Sequence, residues 1–187
     1  MDNCVEIGPS IFIFDNFIDN SEEIISAALK KAEDDGIYSA TIIDKDSNIV
    51  KKEVRNTLIV DISPNFFNDV IWWLLAQKIW KCGDEYGKHH KVGFSGMENP
   101  QFLYYPQNEG FYEVHVDSDI TIPRVFSSVL YLNDVEVGGE TYFNKFDIAI
   151  KPVAGRLLMF PSNFAYSHGA KVPESGAKYC VVTWFTP

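Results

Sequence analysis

The chain has 187 residues, 46% of them apolar, enough to bury a core and too apolar for a disordered chain. Its 26 acidic residues outweigh 16 basic ones, and the formal net charge of -10 disfavours a nucleic-acid substrate. Met1-Asp2-Asn3-Cys4 shows no basic n-region, no apolar run is long enough for a membrane span, and Cys4, Cys82 and Cys180 form no disulfide or zinc spacing, so a cytoplasmic, reducing setting without membrane partners is expected.

Ile11-Phe12-Ile13-Phe14 reads as a buried strand. Asn20 then reads as a helix N-cap, with Glu23 three positions on as in a capping box. Ile24, Ile25, Ala28, Leu29 and Ala32 recur at helical spacing, and Gly36 ends the pattern. Thr41 to Ile43 and Ile49-Val50 flank a polar turn, which predicts a hairpin, and Thr57 to Ile62 predicts a further strand. Ser63-Pro64 opens a second helix whose buried face is expected at Phe67, Val70, Ile71, Leu74, Leu75 and Ile79. Trp72, Trp73 and Trp80 are expected as core under a sheet. The helix is expected to end near Gly83 or Gly87, leaving His89 and His90 in solvent.

From about residue 100 the pattern changes to short strands punctuated by Gly and Pro. They run over residues 102–105, 111–117, 125–132, 141–143, 148–151, 156–160, 164–168 and 179–185. Many short strands at regular spacing predict a barrel or jelly roll. The expected organisation is a single domain, 1–187, in which residues 1–99 buttress a β-core over 100–187.

Phe111 to Asp117 carries the chemistry. Side chains two apart on a strand share a face, so His115 and Asp117 project together while Tyr112 falls on the opposite face. Imidazole and carboxylate are two ligands of the facial triad of non-haem Fe(II) oxygenases, and His168 is the only later histidine. A lone strand histidine is more often structural, so the weight rests on the set. In the final strand Lys178, Cys180, Val182 and Trp184 share one face. If that face lines the interior, Lys178 needs a counter-charge, which a dicarboxylate would supply. The alternative is that Lys178 lies at the strand end and reaches water. Cys180 reads as small core filler, and Gly138-Gly139 as a turn without the spacing of a phosphate-binding loop.

The order His115-Val116-Asp117, His168, Lys178 resembles the H-x-D…H…K pattern of 2-oxoglutarate- and Fe(II)-dependent oxygenases of the prolyl 4-hydroxylase type. Tyr131-Leu132-Asn133-Asp134 followed by Gly138-Gly139-Glu140-Thr141-Tyr142-Phe143 is similar to another segment of that family. So are His168-Gly169-Ala170-Lys171-Val172-Pro173 and Gly176-Ala177-Lys178-Tyr179 with Trp184. Tyr105-Pro106, Tyr112 and Arg124 resemble the hypoxia-inducible-factor prolyl hydroxylases, whereas the lysine is like the collagen-type and microbial enzymes. The resemblance covers residues 100–187.

It implies a mainly β fold, a double-stranded β-helix (jelly roll) with N-terminal helices packed on one sheet. It implies Fe(II) held by His115, Asp117 and His168, which also form the catalytic centre, and 2-oxoglutarate held by Lys178, Tyr131 and Tyr105. Arg124, Trp184 and Tyr112 are its implied substrate residues. The implied activity is that of a dioxygenase hydroxylating a prolyl residue of a peptide or protein, with O2 consumed, succinate and CO2 released, and ascorbate as a candidate reductant. The alternatives are a hydroxylase of a free amino acid or other small molecule, and a non-catalytic binding protein on the same barrel.

Overall fold

The computed structural model describes residues 4–35, 38–39, 54–61 and 70–187. The larger sheet contains β1 (Cys4–Gly8), β2 (Ile11–Phe14), β3 (Tyr38–Ser39), β5 (Leu58–Asp61), β6 (Gly96–Met97), β7 (Gln101–Tyr105), β9 (Phe126–Tyr131), β12 (Leu157–Pro161) and β14 (Lys178–Thr186). Its order is β1-β2-β12-β9-β14-β7-β5-β3, with β6 on β14. The smaller sheet contains β4 (Arg55–Asn56), β8 (Phe111–His115), β10 (Thr141–Phe143), β11 (Ile148–Ile150) and β13 (His168–Ala170), in the order β11-β10-β13-β8-β4. Neighbouring strands pair antiparallel. The architecture is the expected jelly roll, with α1 (Ser21–Asp35) and α2 (Val70–His90) added before the core strands.

Alternation along the central strands separates two apolar layers. Phe126 and Leu130 of β9, Leu157 and Met159 of β12, and Val181 and Phe185 of β14 join Ile24, Ala28 and Ala32 of α1 and Trp72, Leu75 and Ile79 of α2. Val129 and Tyr131, Leu158 and Phe160, and Cys180 and Val182 turn the other way, into the space between the sheets. Both faces of β9 are therefore covered, and every one of its residues is buried. This is why it carries no charged residue and does not alternate between buried and exposed positions.

The second helix departs from expectation in three respects. It runs through Gly83 and Gly87 to His90. Its buried stripe is Trp72, Leu75, Ala76, Ile79, Cys82, Gly83 and Tyr86, while Val70 and Leu74 are exposed and Trp73 and Trp80 partly so. Gly83 is there for contact: a Cβ would sit 2.2 Å from Cε1 of Phe185, so the helix backbone lies directly on that ring. His90 is half-buried and not left in solvent, whereas His89 stays exposed as expected; both rings meet Phe12 edge-on at 5.4 Å. A second difference concerns the expected strand at 164–168. Phe164–Tyr166 forms a 3-10 turn capped by Asn163, whose side chain accepts from the Ala165 N–H, and only His168 onward pairs as β13. The predicted hairpin at 41–50, the helix start at Ser63-Pro64, the stop at Gly36 and the contact of Phe67 lie outside the described residues.

Candidate metal and co-substrate site

His115 ends β8, His168 begins β13, and the two are directly paired across the sheet. Asp117 lies two residues beyond the end of β8. The ligating atoms of the three side chains lie within 4.8 Å of one another, the one such group among the described residues. Nε2 of His115 is 3.3 Å from Asp117 Oδ1, and Nε2 of His168 is 3.7 Å from Asp117 Oδ2.

Backbone carbonyls select the tautomers. Nδ1 of His115 is 2.9 Å from the Glu113 carbonyl oxygen, and Nδ1 of His168 is 3.1 Å from that of Tyr166. A carbonyl only accepts, so each Nδ1 carries the proton and each Nε2 turns a lone pair to the shared centre. Burial pushes the His168 imidazole down to about 4, outweighing the raising influence of Asp117, so the ring is neutral near pH 7. Burial also works against the Asp117 carboxylate, but His168, His115 and the Ser127 hydroxyl overcome it and hold the group well below the usual carboxylate range.

Ser127 Oγ donates to Asp117 Oδ2 at 2.6 Å and lies 2.7 Å from Ser162 Oγ. Its only hydrogen is used on the aspartate, so the Ser162 hydroxyl donates to Ser127. Nothing local in the sequence marks either serine. Their role depends on β9 and β12 being neighbours.

The triad opens into a cavity of about 580 Å³ between the sheets, lined also by Lys178, Cys180, Val182 and Trp184, the inward face expected from strand alternation. Lys178 is only 1% exposed. Its ammonium donates to the Gly139 carbonyl at 2.8 Å and faces the Tyr105 ring at 4.4 Å. Burial lowers its pKa, and no described carboxylate pairs with it. The alternative in which Lys178 reaches water is therefore set aside. A buried ammonium with a single neutral acceptor is costly, and an incoming carboxylate would complete it. The donor set thus fits Fe(II) and a dicarboxylate: two neutral imidazoles and one carboxylate for the metal, and an underpaired cation in the same chamber.

Other expected residues are placed differently. Tyr131 is fully buried and is absent from the cavity lining, although the Lys178 ammonium faces its ring at 5.6 Å. Its hydroxyl donates to Thr141 Oγ1 at 2.7 Å, so Thr141 presents the hydroxyl there and keeps its own hydrogen free to donate. Tyr105 lines the cavity, with its ring covering the Lys178 end. Tyr112 does not face away from His115. Their rings stack at 3.6 Å with planes 16° apart, because the pairings His168 to His115 and Ala170 to Tyr112 leave one extra residue in β8. That bulge reverses the alternation between them.

Arg124 also lines the cavity but is held by protein groups. Its guanidinium lies 3.7 Å over the Trp184 ring, Nε and Nη2 donate to the two Glu98 oxygens at 2.5 and 2.6 Å, and Nη1 donates to the Asp117 carbonyl at 3.1 Å. It thus steadies the backbone of a triad residue. Arg55, unmarked in the sequence, enters the same wall from β4 and stacks on Tyr112 at 4.4 Å.

Residues 100–186 match the family model described as the 2OG-Fe(II) oxygenase superfamily. Among curated proteins, human prolyl 3-hydroxylase 2 is 38% identical over 68 residues, and chicken prolyl 3-hydroxylase 1 is 29% identical over 99. The first match takes in 34% of this chain and 10% of the human protein, the second 43% and 14%, so the chain matches only a small part of these relatives. Among solved structures, a Pseudomonas putida prolyl-4-hydroxylase superposes with a TM-score of 0.77 at 20% identity, covering 95% of this chain and 93% of that one. A Trichoplax adhaerens prolyl hydroxylase, solved with a hypoxia-inducible-factor oxygen degradation domain peptide, gives 0.75 at 21% identity, covering 95% and 83%. These likenesses show a shared fold.

Proposed function

We propose, from the match of residues 100–186 to the 2OG-Fe(II) oxygenase superfamily, that the protein is a 2-oxoglutarate- and Fe(II)-dependent dioxygenase that hydroxylates a prolyl residue in a peptide or protein. The observation that carries the reading is Lys178, a buried cation with no described carboxylate partner, in the same cavity as His115, Asp117 and His168. The overall change joins substrate C–H, O2 and 2-oxoglutarate to give C–OH, succinate and CO2. Bound Fe(II) would supply the oxygen activation that no side chain can carry out.

The side chains do the rest. Lys178 and the Thr141 hydroxyl bind the far carboxylate of 2-oxoglutarate and fix its depth. The Glu113 and Tyr166 carbonyls hold both imidazoles in the ligating tautomer. Ser127, backed by Ser162, fixes one oxygen of Asp117. Tyr112, Arg124 and Trp184 form the substrate side, with half-exposed Val116 and Ile122 offering apolar contact around it. A cytoplasmic setting is proposed on the free thiols of Cys4, Cys82 and Cys180.

The prolyl assignment is supported by two structural relatives that are prolyl hydroxylases. It is tested by incubating the protein with Fe(II), 2-oxoglutarate and proline-containing peptides. Succinate and hydroxyproline should form together, and Asp117→Ala should abolish both while the fold persists. Turnover of free amino acids alone would instead support the small-molecule alternative.

A further inference from the structure

Among the described residues three basic side chains line the cavity, and they differ in what neutralises them. Arg124 is paired through two bonds with Glu98. Lys178 is fully buried and is accounted for by the co-substrate carboxylate. Arg55 remains. Its Nε donates to Thr57 Oγ1 at 2.6 Å, a neutral acceptor. No described carboxylate pairs with its guanidinium, which is half-buried and lies against the Tyr112 ring.

The position of this cation is specific. Arg55 is paired with Tyr112 across β4 and β8, so its backbone is fixed by the sheet that carries His115. Arg55 stacks on Tyr112, and Tyr112 stacks on His115, one behind the other. The guanidinium therefore lies only two stacking distances from the ring of a triad residue, on the cavity wall that carries Tyr112. A substrate docking here removes water from Arg55. A neutral carbonyl only partly offsets that loss, whereas a carboxylate meets the planar donor fork in a charge-assisted pair. In a chain of net charge -10, a cation with no carboxylate partner among the described residues is a local exception to the overall charge.

We propose that Arg55 is a specificity-determining residue that binds a substrate carboxylate, the side chain of an Asp or Glu lying one to a few positions from the target proline. An extended peptide advances about 3.3–3.6 Å per residue, which matches the short separation between Arg55 and the triad. This rests on the peptide hydroxylation proposed above. A free amino acid would offer the same chemistry through its α-carboxylate.

The test uses the full chain loaded with Fe(II) and 2-oxoglutarate, and peptide pairs in which an acidic residue beside the proline is exchanged for its amide. Each pair is also made with alanine in place of proline, and free proline is a separate arm. Hydroxylation is followed by mass spectrometry, and binding by fluorescence polarisation on protein loaded with Zn(II) in place of iron. The expected result is a preference for the acid of about tenfold or more in kcat/KM, seated in KM, with the same preference in binding. Arg55→Gln should collapse the ratio, Arg55→Lys should keep part of it, and Arg55→Glu should shift preference to peptides with Lys at that position. A merely structural role for Arg55 would not invert the charge preference. Acid-selective binding that is lost in Arg55→Gln but indifferent to proline would keep this proposal while overturning the prolyl assignment. Acid-selective capture of free proline alone would place the carboxylate on a small molecule and overturn the acidic-peptide assignment. Equal handling of acid and amide peptides, or an unchanged preference in Arg55→Gln, would overturn the role of Arg55.

Discussion

At the scale of single residues, the site depends on which polar groups are completed by the protein and which are left for a ligand. Asp117 is completed: Ser127 and the two imidazoles surround its oxygens. Lys178 is not, and this separates stability from binding. Removing a buried, incompletely paired ammonium should not destabilise the fold, because its desolvation penalty disappears with it. Lys178→Met is therefore expected to unfold at the same or higher denaturant concentration than the parent, while its affinity for 2-oxoglutarate, titrated with Mn(II) in the metal site, falls about ten- to a hundredfold. Loss of stability together with unchanged affinity would mean that Lys178 is a structural cation. Sequence parity was enough to put Lys178 on the inward face. It could not reveal Ser127, Ser162, Thr141 or Arg55, whose roles arise only when distant strands meet.

At the scale of elements, the informative features are places where regular geometry is broken. The extra residue in β8 turns Tyr112 onto His115, and a period of two cannot anticipate it. The 3-10 turn at Phe164–Tyr166 brings the Tyr166 carbonyl to His168, and its aromatic composition hid it inside an apparent strand. In α2 the buried stripe runs Trp72, Leu75, Ile79, Cys82 and Tyr86, and Gly83 does not stop the helix because its value there is closeness of approach. Gly83→Ala measures that closeness. Its methyl group would meet the Phe185 ring, and overpacking of this kind costs about 1–3 kcal/mol. Chemical denaturation should register the loss, with metal and 2-oxoglutarate affinities unchanged, since Phe185 faces the helices and not the cavity. Unaltered stability would show that α2 can lift off the sheet at no cost.

At the scale of the whole molecule, the two apolar layers divide the labour. The helices cover the outer face of the larger sheet, and the space between the sheets is left for chemistry. His115 and His168 come from the smaller sheet and Lys178 from the larger, so the proposed metal and co-substrate contacts span both. Among the described residues no helix is long and apolar enough to cross a membrane. The jelly roll was legible from the spacing of strands and turns after residue 100, because each strand is short and sharply bounded. The family pattern was legible because its residues fall in order along that stretch. The substrate was not, since the cavity rim is assembled from β4, β8, the segment after β8, and β14.

The central claim is that this cavity couples oxidation of 2-oxoglutarate to hydroxylation of a prolyl residue. It is tested most directly by turnover under isotopically heavy O2 with Fe(II), 2-oxoglutarate and a proline-containing peptide. The account predicts one heavy oxygen in the hydroxyproline and one in succinate, formed in equal amounts. Hydroxyproline carrying only solvent oxygen, or labelled succinate with no oxygen added to any proline, would contradict it.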